Sequence, residues 1–447
     1  MLHIKNIFES NINYNIINEL SNVKLRKRDI DLIDAFYYRL AYSQINITKE
    51  SIASHLNFIN KTNYSYQGYD KKEHNIPLTF YRLILDQLAS CYNTIIRNNF
   101  QNTLVTIAVD GTYNNNRNYE EMLNMGFYDV TNNIPIDIES FGRKGKNKEI
   151  KCTKSYIKKN RKKFRNTILI GDRAYFCYDF MKFLDDNGIY FIIRSRGDAN
   201  NLDPNTRLSK SNRNYKIIMD LRSKTRHIVC KNIVEKVVHD TKGKKNIIKH
   251  TIRIEDNCHL ITNLLDCDNY PPDQLAIIYK SRWDIEVFFK YLKHNFKFQH
   301  LREKDKQNNY EKLYMSELII TYIAKIIEKE NEHKNKGTTI KINESHLVKG
   351  IFDKLLHKLL HNKLVTNEYN NFCKTYIKLI NNKRNRSFPR TSKTAFSKWY
   401  VKGYSHNSQL VKMINAILNN TINKLNKNLK TKAKRIKEIN GKIIDAG

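Results

Sequence analysis

The sequence lacks any uninterrupted apolar run near the roughly 20 residues that span a bilayer, and no signal-peptide pattern opens it. The expectation is a soluble, intracellular protein with no membrane role, in cytoplasm and nucleoid or in a nucleus according to the host. Cysteine pairs at metal-binding spacing are also missing. The seven cysteines, Cys91, Cys152, Cys177, Cys230, Cys258, Cys267 and Cys373, are scattered and odd in number, which speaks against a clustered-thiol zinc module and a disulfide framework. They read as reduced, mostly buried thiols. Glycine and proline are scarce, at 14 and 6 residues, and no Gly/Ser linker or internal repeat divides the chain. Negative charge is short as well: 44 Asp+Glu face 79 Lys+Arg, a formal net charge of +35. Such an excess demands a polyanionic partner, nucleic acid first and an anionic membrane surface second, because neutralising phosphates releases counterions. Part of the lysine excess accompanies abundant Asn and Ile, as an AT-rich coding genome would produce, and is discounted.

What is present is enough chain, 447 residues, for two or three domains and a substantial core. Residues 1–100 read as helices: an amphipathic run opens near Asp29, a second is N-capped by Thr48, a loop covers Asn60 to Asn75, and a third helix runs from Phe80 to Ile96. Two short helices and a turn resemble a helix-turn-helix with Lys24, Arg26, Lys27 and Arg28 nearby; a plain helical bundle is the other reading. Residues 101–197 change to strands alternating with helices. Thr103 to Val109 is a β-branched apolar run that suits a strand buried on both faces, ending at Asp110-Gly111-Thr112. Met125 to Phe141 alternates around Asn132-Asn133 as a hairpin. A helix follows from Lys148 to Arg165, then a buried strand from Thr167 ending at Asp172, a helix from Tyr178 to Asn187, and a strand at Tyr190 to Ile193. This is an α/β layer architecture with a mixed sheet. Residues 198–270 read as a β-rich insertion with strands at Tyr215 to Met219, His227 to Val238, Ile247 to Ile254 and His259 to Leu265. Pro271-Pro272-Asp273 then starts one long helix running to about Phe296, within the segment 271–300. Residues 301–447 are helical and basic, with no Asp or Glu between Asn381 and Lys437.

Two carboxylates, Asp110 and Asp172, follow the two most apolar strands, where open α/β sheets place their chemistry. Hard divalent cations take oxygen ligands, and two of them roughly 4 Å apart activate the attacking oxygen and stabilise the leaving one in phosphodiester cleavage. About three carboxylates are needed, and the long helix offers the third. On a helical wheel Tyr279, Arg282, Glu286 and Lys293 fall within roughly a 60° arc, bordering the apolar positions Ile278, Ile285, Phe289 and Leu292.

Tyr279-x2-Arg282-x3-Glu286-x6-Lys293 matches the Y-R-E-K signature of the insertion-sequence DDE transposases without gap or shift. Val109-Asp110-Gly111-Thr112, Gly171-Asp172-Arg173-Ala174-Tyr175 and Arg282 to Lys290 also resemble that family, over about residues 100 to 300. The long separation of Asp172 from Glu286 fits the family's β insertion. The resemblance implies a ribonuclease-H-like mixed-sheet catalytic core with a β-rich insertion, flanked by helical N- and C-terminal regions. It implies that Asp110, Asp172 and Glu286 are catalytic and ligate two Mg²⁺ (or Mn²⁺) ions. It further implies that Tyr279, Arg282 and Lys293 hold the DNA phosphates at a transposon end, with Arg173 and Lys290 as added DNA contacts. The activity implied is cleavage at terminal inverted repeats and strand transfer into target DNA by a synaptic homodimer. One departure bears on the route: some relatives stack an aromatic of the insertion on a flipped base in a hairpin step, whereas Trp283 and Trp399 lie outside the insertion here. Tyr215 is the alternative flat ring.

The bland alternatives are a helix-capping role for Asp172 and a solvated face on which Arg282, Glu286 and Lys290 pair at i, i+4. Trp283 reads as a packing residue. Histidines, His294 and His300 among them, show no metal-ligand spacing. The basic stretches Lys383-Arg384-Asn385-Arg386 and Lys430 to Lys437 read as a phosphate-backbone surface. Two rival functions stand beside transposition: a host-retained DNA-binding descendant, and a nuclease of the same fold.

Overall fold

The computed structural model describes residues 2–20, 30–97, 104–114, 122–141, 148–195, 207–212, 215–220, 225–240, 248–298, 307–332 and 342–377. Residues 1–382 form one compact unit and residues 383–447 a second. The basic stretches beyond Asn381, the cluster Lys24 to Arg28, and His300 lie outside the described residues.

Among the described residues nine strands make one sheet, in the order β3-β2-β1-β4-β5-β9-β8-β7-β6. Its core is β1 (Thr106–Asn114), β2 (Met122–Asp129), β3 (Ile134–Phe141), β4 (Ile168–Gly171) and β5 (Tyr190–Arg194). β1 runs antiparallel to β2 and parallel to β4, and β4 is parallel to β5. This is the mixed sheet expected of the ribonuclease-H-like core. Alternation along the strands feeds two cores, as a period of two requires. Ile107, Val109, Leu169, Phe191 and Ile193 point to one face. Ala108, Ile168, Ile170 and Ile192 point to the other. Helices α7 (Lys148–Lys159), α8 (Arg161–Phe164) and α9 (Tyr178–Asp186) cover the first face. The second is covered by α6 (Leu78–Arg97), α11 (Trp283–Asn295) and α12 (Gln307–Glu332).

The β2–β3 hairpin turns at Asn132-Asn133 as expected, with Asn133 left-handed at φ 56° and the Asp129 carboxylate accepting from Asn132 N and Nδ2. The insertion forms β6 (Arg207–Asn212), β7 (Tyr215–Asp220), β8 (Thr225–Asp240) and β9 (Ile248–Thr262), and joins the central sheet where β9 pairs antiparallel with β5. Two of its expected strands are one. β9 runs through Glu255-Asp256-Asn257 because each of these residues pairs with β8 in a long ribbon.

Other expectations are corrected by local chemistry. The supposed loop from Asn60 to Asn75 contains α5 (Tyr66–His74), whose N-terminus is capped by the Ser65 hydroxyl accepting from Gly68 N. The Lys-rich helix breaks at Asn160 into α7 and α8. The helix begun at Pro271-Pro272 breaks too, into α10 (Pro272–Lys280) and α11, with Ser281 and Arg282 between them. There Asp284 N bonds back to Ser281 O, three residues away, and the Ser281 hydroxyl caps Ile278 O.

The N-terminal helices α1 (Leu2–Asn11), α2 (Tyr14–Leu20), α3 (Leu32–Tyr42), α4 (Lys49–Asn60) and α5 share the core of α6 and α12. Thr48 caps α4 through Ser51 N, as its sequence indicates. The chain ends its described part with α13 (Glu344–Gly350), a π-helical turn (Ile351–Leu355), α14 (Leu356–Leu360) and α15 (Thr366–Tyr376). One buried ion network fastens this helical layer. Glu73 of α5, fully buried, takes the Arg39 guanidinium of α3, the Tyr81 hydroxyl of α6 at 3.0 Å and the Lys312 ammonium of α12 at 3.4 Å. Burial alone would raise its pKa, but Arg39 and Lys312 prevail and hold it at about 2. Arg39→Met leaves this carboxylate buried without its main partner, so a loss of about 3–5 kcal/mol in denaturant unfolding is expected.

Candidate active site

The parallel pairing of β1 and β4 sets the first two carboxylates side by side. Ala108 aligns with Ile170, so Asp110 and Asp172, two residues on, stand level. Asp172 follows β4 directly and caps a short 3₁₀ helix, Arg173–Tyr175, accepting from Ala174 N at 2.7 Å. The expected strand end at Asp110 is not observed: β1 continues to Asn114 because β2 pairs with it along its whole length. Asp110 therefore projects from mid-strand, where β4 has already stopped.

Glu286 arrives from α11, and a glycine makes room for it. Gly126 on β2 is the register partner of Asp110, and a Cβ there would lie 2.6 Å from Phe289 Cζ. The Phe289 ring thus lies on bare backbone beside Asp110, and Glu286, one turn earlier in the helix, is brought to the same edge. Arg282 joins the two acids. Its guanidinium lies 2.8 Å from Glu286 Oε1 and 3.8 Å from Asp110 Oδ2. The i, i+4 pair weighed as a solvated feature does form, but Arg282 and Glu286 are only 15% and 18% exposed. Lys293 donates to the Thr112 hydroxyl at 3.0 Å, and Tyr279 is buried within electrostatic range of Arg282, Arg194 and Asp172. All four Y-R-E-K positions thus reach the Asp110/Asp172 edge despite the helix break. Lys290 does not; it is exposed, with its ammonium 5.0 Å from the Trp283 ring centre. Arg173 sits beside Asp172 in the 3₁₀ turn.

A fourth carboxylate was not foreseen. Glu149, in the first turn of α7, approaches from the opposite face of the sheet through the gap left by Gly111; a Cβ on Gly111 would meet Glu149 Oε1 at 2.7 Å. The Lys-rich surroundings concealed it, although the Gly beside Asp110 was a readable hint. Burial, with Asp172 close by, pushes Glu149 up to about 7. Burial also pushes Asp110 up to about 7, helped by Asp172 and Glu149 and opposed by Arg282 and the Gly111 amide. Arg282 is held in its charged form by Tyr279, Asp110 and Glu286 against the cost of its burial. Burial lowers Lys293, with Asp110 opposing.

These groups fit divalent cations. The donors are all hard oxygens, as Mg²⁺ prefers, and Arg282 pairs with only two of the four acids. Among the described residues, Asp110, Asp172 and Glu286 do not bring three ligand oxygens within 4.8 Å of one another. Arg282 stands between Glu286 and Asp110, and it must leave Asp110 before those two share a cation. A cleft lined by Arg161, Lys162, Arg165 and Gly188 lies where the chain enters β5, away from this edge.

A family model described as the transposase DDE domain matches residues 93–323, just over half of the chain and all of the site described above. No curated protein matches the sequence. Among solved structures, the chain is similar to a piggyBac transposase synaptic complex with hairpin DNA, seen by cryo-EM. The identity is 11% over 89% of this chain and 90% of that one, with a TM-score of 0.43. From a similarity that distant nothing about the site follows.

Two predictions come from the geometry. Gly126→Ala forces Phe289 off the sheet, so a stability loss of about 1–3 kcal/mol should accompany any displacement of Glu286, read by denaturant unfolding. The second concerns pH. A carboxyl whose folded pKa is raised binds protons more tightly folded than unfolded, so its ionisation destabilises the fold as pH rises from about 4 to about 7. Without divalent metal, Asp110→Asn should therefore gain stability relative to the unaltered chain across that window, and the gain should level off above pH 7. Thermal unfolding in EDTA, with added Mg²⁺ narrowing the gap at pH 8 more than at pH 5, checks it.

Proposed function

We propose, from the premise that this chain belongs to the transposase DDE-domain family, that Asp110, Asp172 and Glu286 hold two divalent cations for cutting and rejoining DNA at transposon ends. The chain is a DNA transposase, a metal-dependent DNA-cleaving and strand-joining enzyme. What remains is which residue does what. The observation that carries the assignment is the convergence of Asp110, Asp172 and Glu286, from β1, the end of β4 and α11, on one edge with Arg282 and Lys293 around them.

When bound, two Mg²⁺ or Mn²⁺ ions would activate the attacking oxygen and stabilise the leaving oxygen of the scissile phosphodiester. The chain's own residues supply the rest. Asp110, flanked by Asp172 and Glu149, gives up its proton near neutrality and offers oxygen ligands. Glu149 reinforces the negative potential from behind β1 and orients the ligands. Arg282 leaves Asp110 to meet a phosphate, for which its planar fork suits two parallel hydrogen bonds. Lys293, fixed through Thr112, and the Tyr279 hydroxyl brace the same strand, Arg173 extends the cationic rim, and Lys290 is a DNA contact outside this edge. The nucleophile is water at the element's end and then the freed 3′-hydroxyl on target DNA, with no covalent protein intermediate. Because two ends must be handled together, the working complex is a homodimer. The N-terminal helices and the basic segment beyond Asn381 contribute DNA backbone contacts.

The test is strand cleavage of a duplex carrying the element's end, with Mg²⁺. Glu286→Gln and Asp172→Asn should each abolish product while the duplex is still retained in a mobility shift, and equal cleavage by Glu286→Gln and the unaltered chain would remove the assignment. Glu149→Gln should lower the rate by about 10–100-fold, the usual scale for a group that orients metal ligands. Arg282→Lys, which keeps the charge and loses the fork, should raise the DNA concentration needed for half-maximal cleavage.

A further inference from the structure

On the helical side of the molecule, away from the four carboxylates, three other side chains converge. α14 carries His357, and His361 follows at its C-terminal cap, one helical turn away. A separation of four residues puts both imidazoles on one face, and their ring centres are 4.3 Å apart. Asp34 of α3, buried, faces them, with Oδ1 2.9 Å from His361 Nε2 although 327 residues separate the two in sequence. Its other oxygen, Oδ2, accepts from Asn60 Nδ2 at 2.7 Å. One ligand atom from each of Asp34, His357 and His361 lies within 4.8 Å of the others. No metal-ligand spacing is expected among the histidines from the sequence. His357-x3-His361 is such a spacing, but two lysines flank the helix and the third ligand is distant in sequence.

An ordinary Asp–His hydrogen bond explains only half of this. It satisfies His361 and leaves His357, whose Nε2 is buried and has no hydrogen-bond partner. An unpaired imidazole nitrogen in such a place costs free energy. The π-helical turn Ile351–Leu355 runs directly into this helix, and such turns recur at functional sites.

We propose that Asp34, His357 and His361 form a transition-metal site of the Zn²⁺ class that clasps the N-terminal helix α3 to the C-terminal helix α14. Two imidazole nitrogens and one carboxylate oxygen are the mixed donor set that zinc takes with a fourth position left to water. Mg²⁺, which demands oxygen, does not suit it, so this site is distinct in kind from the cleavage centre. Asn60 fixes the Asp34 carboxylate from behind, as outer-sphere partners of metal ligands do. Since the ligands come from elements far apart in sequence, binding stabilises the fold by tying those elements together.

The experiment uses the full chain, stripped with chelator and titrated with Zn²⁺ or Co²⁺. One equivalent per chain is expected, with a Co²⁺ visible spectrum of tetrahedral type and without the thiolate charge-transfer band that binding at cysteines would give. In an Asp110→Asn background, which weakens the hold of the cleavage centre on Mg²⁺, Zn²⁺ should raise the unfolding temperature where the same concentration of Mg²⁺ does not. His357→Gln and Asp34→Asn should each weaken Zn²⁺ binding at least about tenfold. Asp110→Asn should leave the zinc response unchanged, which separates this site from the catalytic one. If either ligand variant is too unstable to purify, the Co²⁺ spectrum of the unaltered chain decides alone. A thiolate band, no spectrum at all, or equal zinc binding by His357→Gln and the unaltered chain would each overturn the proposal.

Discussion

The register between β1 and β4 is the constraint on which the site depends. Parallel strands paired Ala108 to Ile170 bring Asp110 and Asp172 level, and a one-residue slip would carry Asp110 to the opposite face. That register is secured from both sides. Ile107, Val109 and Leu169 bury one face of these strands and Ala108, Ile168 and Ile170 the other. Hydrophobic burial thus fixes the position of two charges that would otherwise repel one another. Gly126 and Gly111 complete the arrangement by omission. One admits Phe289 beside Asp110 on the α11 face, and the other admits Glu149 on the α7 face.

The cost of that placement is electrostatic. Burial and mutual repulsion raise Asp110 and Glu149 to about 7, and the single guanidinium of Arg282 offsets only part of it. Stability is supplied elsewhere, in the helical layer where Arg39, Tyr81 and Lys312 converge on the buried Glu73 carboxylate. The two regions show opposite uses of buried charge. Glu73 has partners for its oxygens and is held low at about 2. Asp110 has too few and is held high, which leaves it disposed to accept a cation.

How much of this was legible follows from how local each signal is. The apolar runs Thr103 to Val109 and Thr167 to Gly171, which form strands from Thr106 and from Ile168, the Asn132-Asn133 turn and the Thr48 cap are decided by neighbours in sequence. The Y-R-E-K positions still meet at one edge, although Tyr279 lies on α10, Arg282 in the junction, and only Glu286 and Lys293 on α11. Features decided by distant partners were missed. β9 crosses a polar stretch because β8 lies alongside it. Glu149 looked like one charge in a lysine-rich helix until Gly111 and Asp172 were set beside it. Asp34 and His361 have meaning only once α3 and α14 are in contact. The helix break at Ser281 and Arg282 is a different case, since nothing in Ile278 to Ile285 is a helix breaker.

That break separates two tasks a continuous helix would have joined. α10 packs toward β5 and the insertion strands, and α11 toward β1 and β2, so the junction lets each helix follow its own part of the twisted sheet. Arg282 sits in the junction, where the ladder is loosest; Ile285 N reaches back to its carbonyl over three residues at 3.4 Å. Glu286 lies just inside α11, which Ile285, Phe289 and Leu292 anchor in the core. The carboxylate that must stay in place is therefore on rigid helix. The guanidinium, which in the proposed mechanism exchanges Asp110 for a phosphate, is on the stretch where bonds over three residues, from Arg282 N, Asp284 N and Ile285 N, replace the regular ladder.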